Sequence, residues 1–128
     1  MVATLAQAEA REAGVALVIA PVDPAWQVMA QEVELAQAVM NLVRNAVQAA
    51  QGDADPHPVT LDVTADETQA VIHVINRASA RPVARDGMGI GTHVARAIVE
   101  AHGGTLTRMH GPDGMVHAAL SLPLIETR

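Results

Sequence analysis

The sequence predicts an α+β fold, a two-layer sandwich of helices on a sheet. Three observations carry this. Helical and strand-like stretches mix along the chain without repeating as regular βαβ units. The last third holds two strand-like runs around a Gly/Pro turn, which pairs neighbours as a hairpin. Half of the 128 residues are hydrophobic, enough for one real core and too many for a disordered chain.

The elements follow in order. Residues 2–14 read as a short helix stopped by Gly14. Residues 15–24, VALVIAPVDP, begin as a β-branched strand and end in a Pro-bounded turn, and 26–29 (WQVM) suit a short second strand. Residues 32–51 carry the strongest helical periodicity and are closed by Gly52. A polar loop over 52–58 leads to two alternating strands, 59–66 and 70–76, joined by a hairpin-like ADETQ. Residues 77–91 have no periodicity and read as a loop. Residues 92–102 are a helix stopped by Gly103 and Gly104. TLTRM (105–109), HGPDG (110–114) and MVHAALSLP (115–123) form the closing hairpin.

Composition narrows the function classes. The core must be aliphatic, because the chain has no Phe or Tyr and one Trp, Trp26. All eight basic residues are Arg, and the net charge of −6 argues against a nucleic-acid surface. The absence of Cys excludes disulfide and thiolate chemistry and suits a reducing compartment. No apolar run reaches the roughly 18 residues of a membrane span, so no membrane contact is expected. The N-terminus has no signal-peptide pattern, and a cytoplasmic domain is the expectation. The six His show no ligand spacing on one face.

Two of the three Asn, Asn41 and Asn45, sit four residues apart inside the strongest helix. Asn costs about half a kcal/mol relative to Ala there. At about 100° per residue, Glu34, Gln37, Arg44, Asn45 and Gln48 fall within about 60° of Asn41. Leu35, Val39, Val43, Ala46, Val47 and Ala50 form the aliphatic face. A solvated stripe normally uses Glu, Lys, Arg and Gln. A solvated face and a site are both open readings of this stripe: two carboxamides at i and i+4 offer neutral hard oxygens suited to Mg²⁺, which shares its shell with water and substrate phosphates. Further on, Gly87, Gly89 and Gly91 precede a helix. Glycines there let backbone N–H groups and the helix dipole approach an anion, so a phosphate cradle and a plain hinge are both open readings. The pattern is neither a P-loop nor a Rossmann fingerprint.

Taken together and in order, VMNLVRNAVQAA, GMGIGTHVARAIVEAHGG and GPDGMVHAALSLPL resemble the N box, second glycine box and closing hairpin of bacterial sensor histidine kinase ATP-binding domains, members of the Bergerat-fold ATPases. The resemblance runs from about Ala3 to Leu124. It implies a mixed sheet of about five strands covered on one face by about three helices, and residues 1–128 as one catalytic domain without a dimerisation or phosphoacceptor element. It implies Mg²⁺-ATP as ligand. Asn45 would be the Mg²⁺ ligand and Asn41 its companion, and Arg44 would face the triphosphate. Gly87, Gly89, Gly91 and Thr92 would wrap the phosphates. The implied partners are the histidine-phosphoacceptor domain of a parent kinase and a response regulator.

The chain also departs from the family pattern. Asn76 stands at the Asp of the first glycine box and Ala78 at its first Gly. An Asp there accepts from the adenine amino group; Asn76 keeps one acceptor oxygen, and its NH₂ can face adenine N1. Counting back from Pro123 puts His117 at the Thr that approaches adenine. The segment between the glycine boxes, RASARPVAR, is short and carries Arg77, Arg81 and Arg85, which read as a solvated loop, as a phosphate clamp or as a docking patch for an acidic partner. These departures leave open a second reading, a degenerate kinase-like module that docks a signalling partner.

Overall fold

The computed structural model describes residues 2–20, 32–51, 56–77 and 88–124. Along the chain they form α1 (Val2–Ala13), β1 (Leu17–Ile19), α2 (Glu32–Ala50), β2 (Val59–Ala65), β3 (Gln69–Arg77), α3 (Met88–Ala101), β4 (Thr105–His110), a 3₁₀ turn (Pro112–Gly114) and β5 (Met115–Pro123). The expected five strands and three helices are there. Residues 26–29, expected as a strand, lie outside the described residues.

The sheet order is β1-β2-β3-β5-β4. β1 pairs parallel with β2, and every other pair is antiparallel, so the sheet is mixed. The β2–β3 hairpin is closed by Asp66. Its Oδ1 accepts from the Thr68 and Gln69 amides at 2.8 and 2.9 Å and from the Thr68 hydroxyl at 3.1 Å. Those backbone donors, Thr68 first, hold its carboxyl below the usual carboxylate range.

One face of the sheet carries Val59, Leu61, Val74, Leu106, Ala118, Leu120 and Leu122, all buried in a cluster with the helices. α2 supplies Ala38, Val39, Leu42, Val43, Ala46 and Val47 to that cluster, α1 supplies Ala6 and Ala10, and α3 supplies Ala95 and Val99. The largest fully buried side chains are Leu120, Val43, Val47, Val59, Val74 and Val99. The core is therefore aliphatic, built from small side chains that bring the layers close.

Two glycine stops close their helices in the same way. After α1, Gly14 takes φ +72°, its amide donates to Arg11 O at 3.1 Å, and the Val15 amide donates to Ala10 O at 2.9 Å. After α3, Gly103 takes φ +78°, its amide donates to Glu100 O at 3.0 Å, and the Gly104 amide donates to Val99 O at 2.9 Å. Both are Schellman caps, in which a left-handed residue satisfies carbonyls the helix leaves open. Gly104 is needed for a different reason: a Cβ there would lie 2.0 Å from the Ser121 carbonyl oxygen.

The second glycine run is corrected. α3 begins at Met88, not Thr92, so Gly89 and Gly91 belong to its first turn rather than to a preceding loop. Packing of the Ala95–Val99 face outweighs the roughly 1 kcal/mol that each glycine costs in a helix. Among the described residues no helix is long and apolar enough to cross a membrane.

Candidate functional site

Above the β3–β5–β4 end of the sheet lies a cavity under α2. It is lined by Leu42, Asn45 and Ala46 of α2, Val74 and Asn76 of β3, Leu106 and Arg108 of β4, and Val116 and Ala118 of β5. Counted out to solvent its volume is about 340 Å³, and the centre of a water molecule has about 20 Å³ of it to occupy. That is room for about one water, so a larger ligand must displace a lining side chain.

Asn45 and Asn76 thus come from opposite layers to one cavity, joining the N-box helix to the strand that precedes the short segment. Asn76 is the buried polar residue of the described core, and its Nδ2 has no hydrogen-bond partner. An unsatisfied buried donor costs about 1–3 kcal/mol, and native structures keep few of them. A donor held in this way fits a ring nitrogen or a carbonyl oxygen of a ligand. A purine, which offers such an acceptor on its edge, is compatible with this single donor, and the carboxamides of Asn41 and Asn45 suit the hard-oxygen preference of Mg²⁺.

Two expected site residues lie elsewhere. Arg44 points along α2 toward α1, where its Nε sits 3.4 Å from Oε1 of Glu9. It lines a groove with Leu5, Ala8, Glu9, Glu12 and Met40, not the cavity. Arg44 and Asn45 are about 100° apart on the helix, and the two neighbouring layers divide them. His117 lies on the opposite face of the sheet. In β5 the buried positions are Val116, Ala118, Leu120 and Leu122, and His117 alternates with them. Its Nε2 meets His73 Nδ1 at 2.8 Å, and His73 Nε2 meets the Thr64 hydroxyl at 2.8 Å. Because side chains alternate in a strand, a count that is off by one residue changes faces, and Val116 lines the cavity in place of His117. Burial, with His117 nearby, lowers the His73 pKa, and Asp62 partly opposes this.

Arg108 is the residue sequence reasoning missed. β4 alternates, with Leu106 buried, and the hairpin register sets Arg108 opposite Ala118. That alternation was readable in TLTRM, and it puts Arg108 on the cavity side. Arg77 closes β3 with its Nη1 3.1 Å from His57 Nε2. His102 Nδ1 donates to Ile98 O at 2.7 Å, and its Nε2 lies 3.8 Å from Glu34 Oε2, which ties the end of α3 to α2. Ala78, Arg81, Arg85 and Gly87 lie outside the described residues.

Known proteins give the same architecture. The chain resembles a mycobacterial sensor histidine kinase, MprB, at 18% identity and a TM-score of 0.75, over 98% of this chain and 95% of that one. It resembles the nucleotide-free catalytic domain of histidine kinase ThkA at 19% identity and a TM-score of 0.75, over 95% and 88% of the two chains. It also matches full-length ShkA in complex with AMPPNP at 21% identity and a TM-score of 0.76, over 98% of this chain and 29% of that one. No curated protein matches the sequence. The model of the family described as histidine kinase-, DNA gyrase B- and HSP90-like ATPases matches residues 30–126. That span takes in α2, the whole cavity and β5, and the chain belongs to this ATPase family.

Proposed function

We propose that residues 1–128 act as the ATP-binding catalytic domain of a two-component sensor histidine kinase, holding Mg²⁺-ATP for transfer of the γ-phosphoryl group to a His on a separate domain. The observation that carries this reading is Asn76, which lines one cavity with Asn45 and whose buried Nδ2 has no partner among the described residues, in a chain of this family. Asn76 would hold the base. The aliphatic walls Leu42, Val74 and Val116 would pack on its ring and exclude water. Asn45 would hold Mg²⁺, with Asn41 its companion near the phosphates, and the ion's charge would offset that of the phosphates. The start of α3, with Gly89, Gly91 and Thr92, and Gly87 just before it in the sequence would offer backbone N–H groups to the phosphates.

The chemistry asked of these residues is positioning and charge neutralisation. The phosphorus forms a bond to an imidazole nitrogen of the acceptor, its bond to the β,γ-bridging oxygen breaks, and ADP leaves. The acceptor belongs to the phosphoacceptor and dimerisation domain of the parent kinase, and a cytoplasmic response regulator would take the phosphoryl group onward. The test is calorimetry of ATP with Mg²⁺ on this chain and on Asn45→Ala. Micromolar binding that weakens tenfold or more, about 1.4 kcal/mol, in the variant supports the site. A chain that binds no nucleotide overturns it.

A further inference from the structure

Asn76 carries one donor group and one acceptor, and the donor is the buried, unpartnered atom. A carboxamide pairs with either of two purine edges. Toward adenine, Nδ2 donates to N1 and Oδ1 accepts from the 6-amino group. Toward a 6-oxopurine, Nδ2 donates to O6 and Oδ1 accepts from N1–H. A carboxylate at this position offers acceptors only: it takes the 6-amino group of adenine or the N1–H of a 6-oxopurine, and gives nothing to adenine N1 or to O6. Asn76 by itself does not choose.

Arg108 adds to the oxo side. It opens on the same cavity, and among the described residues it has no acidic partner. A guanidinium has five donors and no acceptor, and it matches the O6/N7 pair of a 6-oxopurine. It offers nothing to a 6-amino group. None of the described lining residues is an Asp or Glu. The remaining walls are aliphatic and hold any flat ring equally. Arg108 is exposed and long enough to swing aside as a ring enters.

The geometry points to a site that takes 6-oxopurine nucleotides as readily as adenine nucleotides, with Asn76 and Arg108 setting the preference. This rests on the cavity being a nucleotide site.

The experiment is calorimetry with Mg²⁺ and ATP, GTP or ITP, on the chain, Asn76→Asp and Arg108→Met. ITP separates the 6-oxo group from the 2-amino group of guanine. Expected are dissociation constants within about threefold of one another for the parent chain, and weaker binding of both ATP and ITP in Asn76→Asp, which loses the donor that either edge uses. Arg108→Met keeps the apolar stem and weakens ITP and GTP more than ATP. Because a buried carboxylate can unfold the chain, circular dichroism accompanies Asn76→Asp, and the exposed Arg108→Met tests the preference independently. A parent chain that favours ATP about tenfold or more over both GTP and ITP overturns the inference and leaves the ATP site standing. An Arg108→Met variant that weakens all three nucleotides equally also overturns it. No binding of any nucleotide overturns both readings.

Discussion

Asn45 of α2 and Asn76 of β3 line one cavity from opposite layers, and the amide nitrogen of Asn76 is buried there without a partner. Such a residue is costly to the ligand-free fold. Replacing it by Leu removes the unpaired donor and keeps the volume. Asn76→Leu is expected to raise ligand-free stability by about 1 kcal/mol while removing nucleotide binding. Urea unfolding with and without Mg²⁺-ATP checks both halves, since the parent chain gains stability with nucleotide and the variant does not.

Arg44 faces Glu9 at 3.4 Å, with side chains 51% and 33% exposed. An exposed pair of this kind contributes about 0.2–1 kcal/mol and is screened by salt. Arg44→Ala is expected to lower stability by no more than this, with the loss shrinking at high salt. Nucleotide affinity should change less than about threefold, because the side chain lies on the α1 side of the helix. A tenfold loss of affinity would return Arg44 to the phosphates.

Gly103 and Gly104 are expected to fail differently. Gly103→Ala forces a Cβ into φ +78°, which costs about 1 kcal/mol. Gly104→Ala sets a Cβ 2.0 Å from the Ser121 carbonyl oxygen, so the end of α3 and β5 must separate. That cost exceeds the 1–3 kcal/mol or so of ordinary overpacking. Thermal melts should therefore rank the parent above Gly103→Ala, and Gly103→Ala above Gly104→Ala.

His73 gives a pH dependence. Burial, with His117 second, lowers its folded pKa below the ordinary 6.5. The unfolded chain then binds more protons than the folded one as pH falls past that ordinary value. The contribution of His73 is thus complete above about pH 6.5 and is lost as pH falls through the lowered folded pKa. Stability measured from neutral pH down to about pH 5 should fall, and His73→Gln should flatten the slope. A variant with an unchanged slope would assign the effect to other groups.

The fold was legible because its signals are local. Period-two alternation in 59–66 and 70–76, the aliphatic face of 32–51 and the glycine stops each specify an element without tertiary help. The site was legible in part. Asn45 and Asn76 stand on faces that periodicity fixes. The Glu9 neighbour of Arg44 was not legible, because a helical wheel gives an angle but not what packs against it. His117 was misplaced because counting back from Pro123 ignored the alternation that the buried Val116 and Ala118 impose. The start of α3 was misread because glycine is a poor helix former locally, whereas the packing of Ala95 and Val99 is tertiary.

The strand order has a consequence for assembly. Among the described residues β4 has no bond to β3 and joins the sheet through β5, which follows it in the sequence. Until β5 inserts, the long edge of β3 is bare, and Asn76 has no neighbour on that side. The pocket then lacks both the Val116–Ala118 wall and the Arg108 wall. A chain delivered only up to β4 therefore holds both asparagines but not the cavity they line. The cavity is completed in one step, when β5 inserts.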